Sequence, residues 1–137
     1  MVDLEDRAAV FDSLVLCKFI RGVFEHFEEE ASQLYRVVTG LEMTPAMMRE
    51  AGERICNLKK AFNIREGWTA ADDHLPPRVL RDALPSGPGQ GVRMTEAELQ
   101  AMIAGYYAAR GWTEEGLIPK AKLEALGLAD IAREVGV

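Results

Sequence analysis

Cysteine is the residue type in this sequence that most directly suggests chemistry, because a thiolate can act as a metal ligand or a nucleophile. The chain has two cysteines, Cys17 and Cys56, which lie far apart and form no CxxC pair. An iron–sulfur cluster normally takes four thiolates, so this chain does not hold a full set. Cys17 is therefore either a buried structural residue in an apolar helix or one ligand of a cluster whose other ligands lie on another polypeptide segment. Cys56 follows Ile55 in an amphipathic stretch, and we expect it to fill the core.

The other polar residues do not form a recognisable active site. His26 and His74 have no zinc-ligand spacing to each other or to a carboxylate. Asp72 and Asp73 precede two prolines, so we expect them to shape a turn rather than hold a metal. The glycine-rich residues 87–91 follow no strand and include no lysine, so they do not match a phosphate-binding loop. The residues alone therefore do not predict an independent enzyme.

Composition limits the class of protein. A length of 137 residues suits one domain with a substantial core, and 48% hydrophobic with 28% charged residues is typical of a folded chain. The formal charge of −6 argues against a surface that follows nucleic-acid phosphates. No apolar run approaches the roughly 20 residues that span a bilayer, so no membrane association is expected. The acidic N-terminus and the scarcity of cysteine favour a reducing cytoplasm.

Apolar residues recur at intervals of three and four through most of the chain, which predicts an all-α, irregular multi-helix domain with no significant sheet. A helix is expected over 3–28, which a break near Asp12 and Ser13 would divide. Residues 14–16 are apolar on every helical face, so they are buried all round or buried against something outside this chain. A short helix is expected over 32–39, ended by Gly40. Its inward residues would be Leu34, Val37 and Val38.

Thr44 and Pro45 have the pattern of an N-cap and a first helical residue, which predicts a helix to about Phe62. Its inward stripe would be Met47, Met48, Ala51, Ile55, Leu58 and Phe62. Proline and glycine then interrupt residues 63–92, which we expect to be a long irregular loop that wraps another part of the protein. A capping box at residues 95–98 opens a helix to Arg110, and two short helices should follow, from Pro119 to Leu126 and over 129–135.

Five segments in this order resemble one family. They are residues 12–19 (DSLVLCKF), 52–58 (GERICNL), 62–67 (FNIREG), 72–78 (DDHLPPR) and 106–112 (YYAARGW). Together they resemble the C-terminal helical domain of the tungsten-containing aldehyde ferredoxin oxidoreductases. Enzymes of this family oxidise aldehydes to carboxylic acids at a tungsten held by two pterins, and pass electrons through a [4Fe–4S] cluster to ferredoxin.

The resemblance assigns roles to four residues. In the family, an Asp-x-x-Gly-Leu-Cys motif binds one pterin and supplies the fourth cysteine of the cluster. By position, Asp12 matches the pterin-contacting aspartate, Leu16 the motif leucine and Cys17 the fourth cluster ligand. Val15 stands where the family has glycine, a residue that allows close approach of the backbone to a cofactor.

The resemblance also implies what this chain needs from elsewhere. Residues 1–137 would form a single helical domain, while the pterin-binding N-terminal portion and the other three cluster cysteines belong to the remaining domains or to another subunit. Alone, the chain is expected to bind neither tungstopterin nor a complete cluster and to be inactive; the complete enzyme would use ferredoxin. The chain would be an excised domain, a split subunit or a degenerate relative. The alternative is a non-catalytic helical module that binds a protein through the surface around residues 14–19.

Overall fold

A computed structural model describes residues 1–136 of the chain. Within these residues the structure is helical and contains no β-strand, which confirms the all-α prediction. The α-helices are α1 (Val2–Ser13), α2 (Phe27–Thr39), α3 (Pro45–Arg65), α4 (Pro77–Arg81), α5 (Glu96–Arg110), α6 (Lys120–Ala125) and α7 (Ala129–Glu134). Short 3-10 helices lie at Lys18–Val23 and Ala70–Asp72. No helix in this described part is long and apolar enough to cross a membrane.

Helix α3 is the element on which the others assemble. Helices α1 and α2 pack against it, and α5 also contacts α1. One core cluster lies where α1, α2 and α3 meet: Val10, Phe11, Phe27, Ala31 and Met48. A second lies where the C-terminal helices contact the far end of α3: Ala61, Ile118, Leu123 and Ala132. The two clusters fix α1 at one end of the molecule and the C-terminal helices at the other.

The helix boundaries show which local signals the sequence carries. The Thr44 hydroxyl accepts a hydrogen bond from the Met47 amide at 3.2 Å, as an N-cap should. Thr95 and Glu98 form the reciprocal capping box that opens α5. Gly40 and Gly111 end α2 and α5 in the left-handed conformation, with φ of 72° and 66°. These predictions are confirmed, and so are the two short helices after residue 119.

The break predicted near Asp12 and Ser13 is confirmed, because α1 ends at Ser13 and a 3-10 helix and the start of α2 take up the rest of the predicted 3–28 helix. The inward face predicted for the next helix is wrong. Leu34, Val37 and Val38 are exposed, because α2 contributes its N-terminal half to the core.

The stripe predicted on α3 is also partly wrong. Leu58 and Phe62 are exposed, whereas Met48, Gly52, Cys56 and Lys60, spaced four apart, form the buried face. That face turns toward α1 because Gly52 permits close contact: a Cβ there would lie 2.8 Å from the Asp6 carbonyl oxygen. Residues 63–92 are irregular except for the end of α3, one 3-10 helix and α4.

Candidate functional site

The segment that carries Asp12 to Cys17 is a tight turn at the end of α1. The Leu14 amide donates to the Val10 carbonyl at 2.9 Å, and the Leu16 amide reaches back to the Phe11 carbonyl at 3.0 Å. Between them, the Val15 amide donates to the Asp12 carbonyl at 3.1 Å. These bonds form a Schellman motif, in which the residue at the Val15 position must be left-handed.

Val15 is an unusual residue for that position. Its φ is 56°, and it is the one residue other than glycine in the described chain with a positive φ. In this conformation Cβ crowds the carbonyl oxygen, at a cost of about 1–2 kcal/mol, and a β-branched side chain is a clear outlier there. The backbone has therefore kept the shape that glycine adopts without strain, although the side chain is valine.

The turn presents alternate side chains to the core and to solvent. Leu16 packs against the cluster that contains Phe11. Val15 is 89% exposed, Cys17 is exposed, and Phe19 is completely exposed at 100%. The interpretation of Cys17 as a buried structural residue is therefore wrong. For residues 14–16, burial all round is also wrong, and the alternative that this segment packs on something outside the chain fits the exposure of Val15.

Asp12 is exposed and makes an ion pair with Lys18. The Lys18 ammonium lies 3.1 Å from one carboxylate oxygen and 3.2 Å from the other. Both side chains are largely in water, and such surface pairs typically contribute about 0–1 kcal/mol. Another ligand for the carboxylate could therefore displace Lys18 at little cost.

Aromatic packing fixes both sides of this loop. The Phe11 ring, at the end of α1, stacks on Phe27 with centroids 4.9 Å apart. Phe24 meets Phe11 and Phe27 edge-on, at 5.5 and 5.4 Å. Since one of the rings precedes the turn and two follow it, residues 12–23 form a loop whose ends are held in the core while its middle is exposed.

Farther back, α1 is held by a buried arginine that the sequence interpretation missed. Arg110 is 1% exposed, and its guanidinium binds Asp6 and Glu5, each at 2.5 Å. Its Nε donates to the Tyr106 hydroxyl at 3.1 Å. Burial alone would lower the pKa of Arg110, but these hydrogen bonds outweigh it and raise the pKa. The signal was the pair Tyr106 and Arg110, one helical turn apart in the YYAARGW segment.

Cys56 lies beside these contacts and, unlike the exposed Cys17, is buried. It is 5% exposed, which confirms its expected place in the core. Burial, together with a hydrogen bond to Asp6, raises the pKa of its thiol to about 12. A thiol held protonated in this way is a poor nucleophile and a poor metal ligand.

A second polar cluster ties the irregular region to α3 and α5. The Tyr107 hydroxyl and the Trp68 indole nitrogen donate to Asp73, at 2.5 and 3.2 Å, and Lys60 lies 4.0 Å from the same carboxylate. Lys60 is 8% exposed, and burial lowers its pKa to about 8 in spite of Asp73.

The acidic residues before the prolines have the structural role that was expected of them. Asp72 caps the 3-10 helix through the backbone and hydroxyl of Thr69, and Asp73 serves the cluster above. His74 contacts a backbone carbonyl in the same turn. Within residues 1–136, no three histidine, cysteine, aspartate or glutamate side chains converge so that they could hold a metal ion.

Comparisons with known proteins show which family has this sequence and this fold. Residues 1–128 match the family described as aldehyde ferredoxin oxidoreductase, domains 2 & 3. The chain therefore belongs to the aldehyde ferredoxin oxidoreductase family. It is 37% identical over 131 residues to the tungsten-containing aldehyde ferredoxin oxidoreductase of Pyrococcus furiosus, covering 95% of this chain and 21% of that protein. The enzyme of the same name from Thermococcus kodakarensis is 34% identical over 133 residues, again covering 95% and 21%.

Two further similarities widen the comparison. The aliphatic sulfonate oxidoreductase WOR-like subunit of P. furiosus is 33% identical over 134 residues, covering 93% of this chain and 21% of the relative. The solved active site complex BamBC of benzoyl coenzyme A reductase, with 1,5 dienoyl-CoA, aligns with a TM-score of 0.78 over 97% of this chain and 19% of that one. Because the two sequences are only 22% identical, this similarity shows a shared fold and nothing about function. The chain spans about a fifth of the length of these curated relatives.

The residues of the turn fit the cluster-ligand role that the family implies better than they fit its pterin contact. Cys17 offers an exposed thiol that is in no disulfide, which fits a single cluster ligand. Asp12 offers a carboxylate whose present partner is easily exchanged. Val15 fits less simply, because its side chain occupies the outward space that glycine would leave empty. The donor set thus fits a contribution to a shared site rather than a complete one.

Proposed function

We propose that this chain is the C-terminal part of a tungstopterin- and [4Fe–4S]-dependent aldehyde:ferredoxin oxidoreductase. In that enzyme Cys17 is the fourth cluster ligand, and the turn from Asp12 to Leu16 contacts a pterin. The observation that supports this most directly is the exposure of Cys17 in a loop fixed at both ends, set against the burial of Cys56. When bound, the metal groups would supply the oxidation of aldehyde to carboxylic acid and carry the electrons to ferredoxin.

Each residue of the turn has a separate task in this proposal. Asp12 accepts hydrogen bonds from the N–H groups of a pterin once Lys18 has been displaced. Leu16 anchors the turn by packing on the core cluster that contains Phe11. Cys17 would hold one iron of the cluster through its thiolate. A single thiolate cannot hold a cluster that normally needs four, so the remaining domains or subunit must supply the rest, and the isolated chain is inactive.

The test is metal analysis of the assembled enzyme. The chain is produced together with the remaining domains, and iron and tungsten are measured per mole of purified protein for wild type, Cys17→Ala and Cys56→Ala. Cys17→Ala should lose most of its iron, because the cluster loses a ligand. Cys56→Ala is the matched control, since it removes a buried thiol from the same chain and should keep its iron. Wild-type iron content in a folded Cys17→Ala enzyme would end the ligand assignment.

One observation also supports the alternative, a helical module that binds another protein without a cofactor. Val15, Phe19 and Val23, all in the same loop, are exposed apolar residues, and exposed apolar side chains that lie together are a common feature of protein interfaces. The two functions differ in what the assembled complex contains. A stable complex that covers Cys17 against alkylation but holds no iron would favour the module. Iron that depends on Cys17 would exclude it.

A further inference from the structure

A cleft separates α1 from the 3-10 helix at Lys18–Val23. Its volume is about 480 Å³, which lies within the range of small-molecule sites. The residues of α1 that line it recur at the intervals of one helical face, which are three, four and seven residues after the first. They are Leu4, Arg7, Ala8 and Phe11, and Phe27 of α2 joins them. One face of α1 is therefore turned toward the 3-10 helix without being fully covered by it.

Three cations and no carboxylate line this cleft. Lys18 and Arg21 come from the 3-10 helix, and because such a helix has three residues per turn, side chains three apart project from the same face. Arg7 comes from α1 on the other side. This grouping of positive charge occurs in a chain whose formal net charge is −6. The cleft therefore favours an anion.

Two of these cations have only weak partners within the chain. Lys18 pairs with the exposed Asp12, a surface contact that is easily exchanged. Arg7 Nε lies 3.7 Å from the nearest Glu28 oxygen, which is too far for a hydrogen bond. This Nε is the one buried side-chain nitrogen or oxygen in residues 1–136 that has no hydrogen-bond partner. A buried donor without an acceptor is costly, so a ligand oxygen beside Arg7 would be stabilising.

The floor of the cleft is apolar. Phe11 and Phe27 are 5% and 1% exposed, and their rings stack on one another. Leu4 and Ala8 add aliphatic surface beside them. A bare inorganic anion would leave this surface unused, whereas an anion with an apolar body would cover it and also pair with the cations.

We propose that this cleft binds a small organic carboxylate, with the charged group between Arg7, Lys18 and Arg21 and the apolar body against the phenylalanine floor. The product of the proposed reaction belongs to this class of compound, and in that respect the inference rests on the proposed function, although binding itself needs only this chain. Asp12 competes with the ligand for Lys18. A pterin that engages Asp12 would therefore release Lys18 and strengthen binding in the cleft.

The probe is benzoate, titrated into the full chain and followed by amide NMR spectra. Benzyl alcohol has the ring without the charge, and inorganic phosphate has the charge without the ring. We expect benzoate to shift the amide signals of residues 4–11 and 18–21. It should bind at least about tenfold more tightly than either comparison compound, because each of them lacks one half of the recognition.

Three variants test the role of the cations. Arg21→Gln should weaken benzoate binding severalfold, whereas Asp12→Asn should strengthen it, because it releases Lys18. Arg36→Gln is the matched control, since it removes an exposed arginine of α2 that does not line the cleft, and it should leave the affinity unchanged. Equal affinity for phosphate and benzoate, or wild-type benzoate binding in Arg21→Gln, would overturn the proposal.

Failure of the cleft and failure of the proposed function give different results. Benzoate binding in the cleft, together with wild-type iron content in the assembled Cys17→Ala enzyme, would retain the carboxylate site and reject the proposed function. Iron that depends on Cys17, together with no benzoate shifts at residues 4–11 and 18–21, would retain the function and reject the carboxylate site.

Discussion

Lys60 should make the stability of this protein rise between pH 7 and pH 9. Its ammonium is buried between the aromatic rings of Trp68, Trp112 and Tyr107, with Asp73 at 4.0 Å as its ion-pair partner. Burial disfavours the charged form, and the pKa of Lys60 falls from 10.5 to about 8. Below pH 8 the lysine is charged in the folded and unfolded states alike, so folding carries the full cost of burying the charge.

The sign and the size follow from proton linkage. As the pH rises through 8, the folded protein loses the Lys60 proton while the unfolded chain keeps it to about 10.5, so the free energy of unfolding increases. The full difference in pKa corresponds to about 3 kcal/mol, of which about 1 kcal/mol is gained between pH 7 and pH 9. Lys60→Met has no such proton to lose. Asp73 keeps the hydrogen bonds from Tyr107 and Trp68, so the substitution does not leave it without partners.

The assay is urea denaturation of wild type, Lys60→Met and Lys59→Met at several pH values from 7 to 9. Lys59 is the matched control, because it is the adjacent lysine and is exposed. The difference in unfolding free energy between wild type and Lys60→Met should change by about 1 kcal/mol in favour of wild type over this range. Cys56 ionises in the unfolded state over the same pH range, but this changes the unfolding free energy of all three proteins equally and cancels from their differences. Parallel pH curves for wild type and Lys60→Met would refute the argument.

Two further substitutions test the contacts that position α1. Arg110→Met should destabilise the chain by about 3 kcal/mol, because it leaves the partly buried Asp6 carboxylate without its cation. In a double-mutant cycle with Asp6→Asn, the double variant should lose less stability than the sum of the losses in the two single variants. Strictly additive losses would contradict a direct pairing of Arg110 with Asp6. Gly52→Ala should cost about 1–3 kcal/mol, since its Cβ would lie 2.8 Å from the Asp6 carbonyl oxygen. Gly105→Ala is the control, because its Cβ would meet no atom within 4 Å, and it should stabilise the chain by about 1 kcal/mol. Equal effects of the two glycine substitutions would contradict the close contact between α3 and α1 at Gly52.

The sequence was informative wherever a signal is local. Thr44 with Pro45, and Thr95 with Glu98, satisfy backbone groups within one helical turn, so their caps could be predicted without knowledge of the fold. Gly40 ends α2 for an equally local reason, because glycine adopts the left-handed conformation without strain. The end of α1 is the instructive exception. The same conformation occurs there at a valine, so a break near Asp12 and Ser13 could be predicted but the residue type gave no indication of a left-handed turn.

What the sequence concealed was mostly the pairing of distant groups. Arg110 lies more than a hundred residues from Asp6 in the chain, and periodicity on α5 gives no indication of a buried cation. Lys60 was not among the residues predicted to face inward on α3, but it is covered by rings from after α3, from α5 and from just after α5. The buried face of α3 was misjudged for the same reason. Hydrophobicity favours Leu58 and Phe62, whereas Gly52 and these paired polar residues determine which side meets α1 and α5.

The turn after α1 depends both on a local backbone signal and on contacts between distant residues. Arg110 and the phenylalanine cluster hold α1 and the loop ends, so the position of Cys17 is set by contacts that lie well away from it. A scaffold this firm can tolerate a strained residue at its tip, which a loosely held loop would relieve by changing its backbone. Removing the strain at Val15 should therefore change the stability of the chain while leaving the path of the loop unaltered. Loss of the Arg110 contacts should lower the stability and also alter the path of the loop, because it frees α1, and with it the loop that carries Cys17, to move.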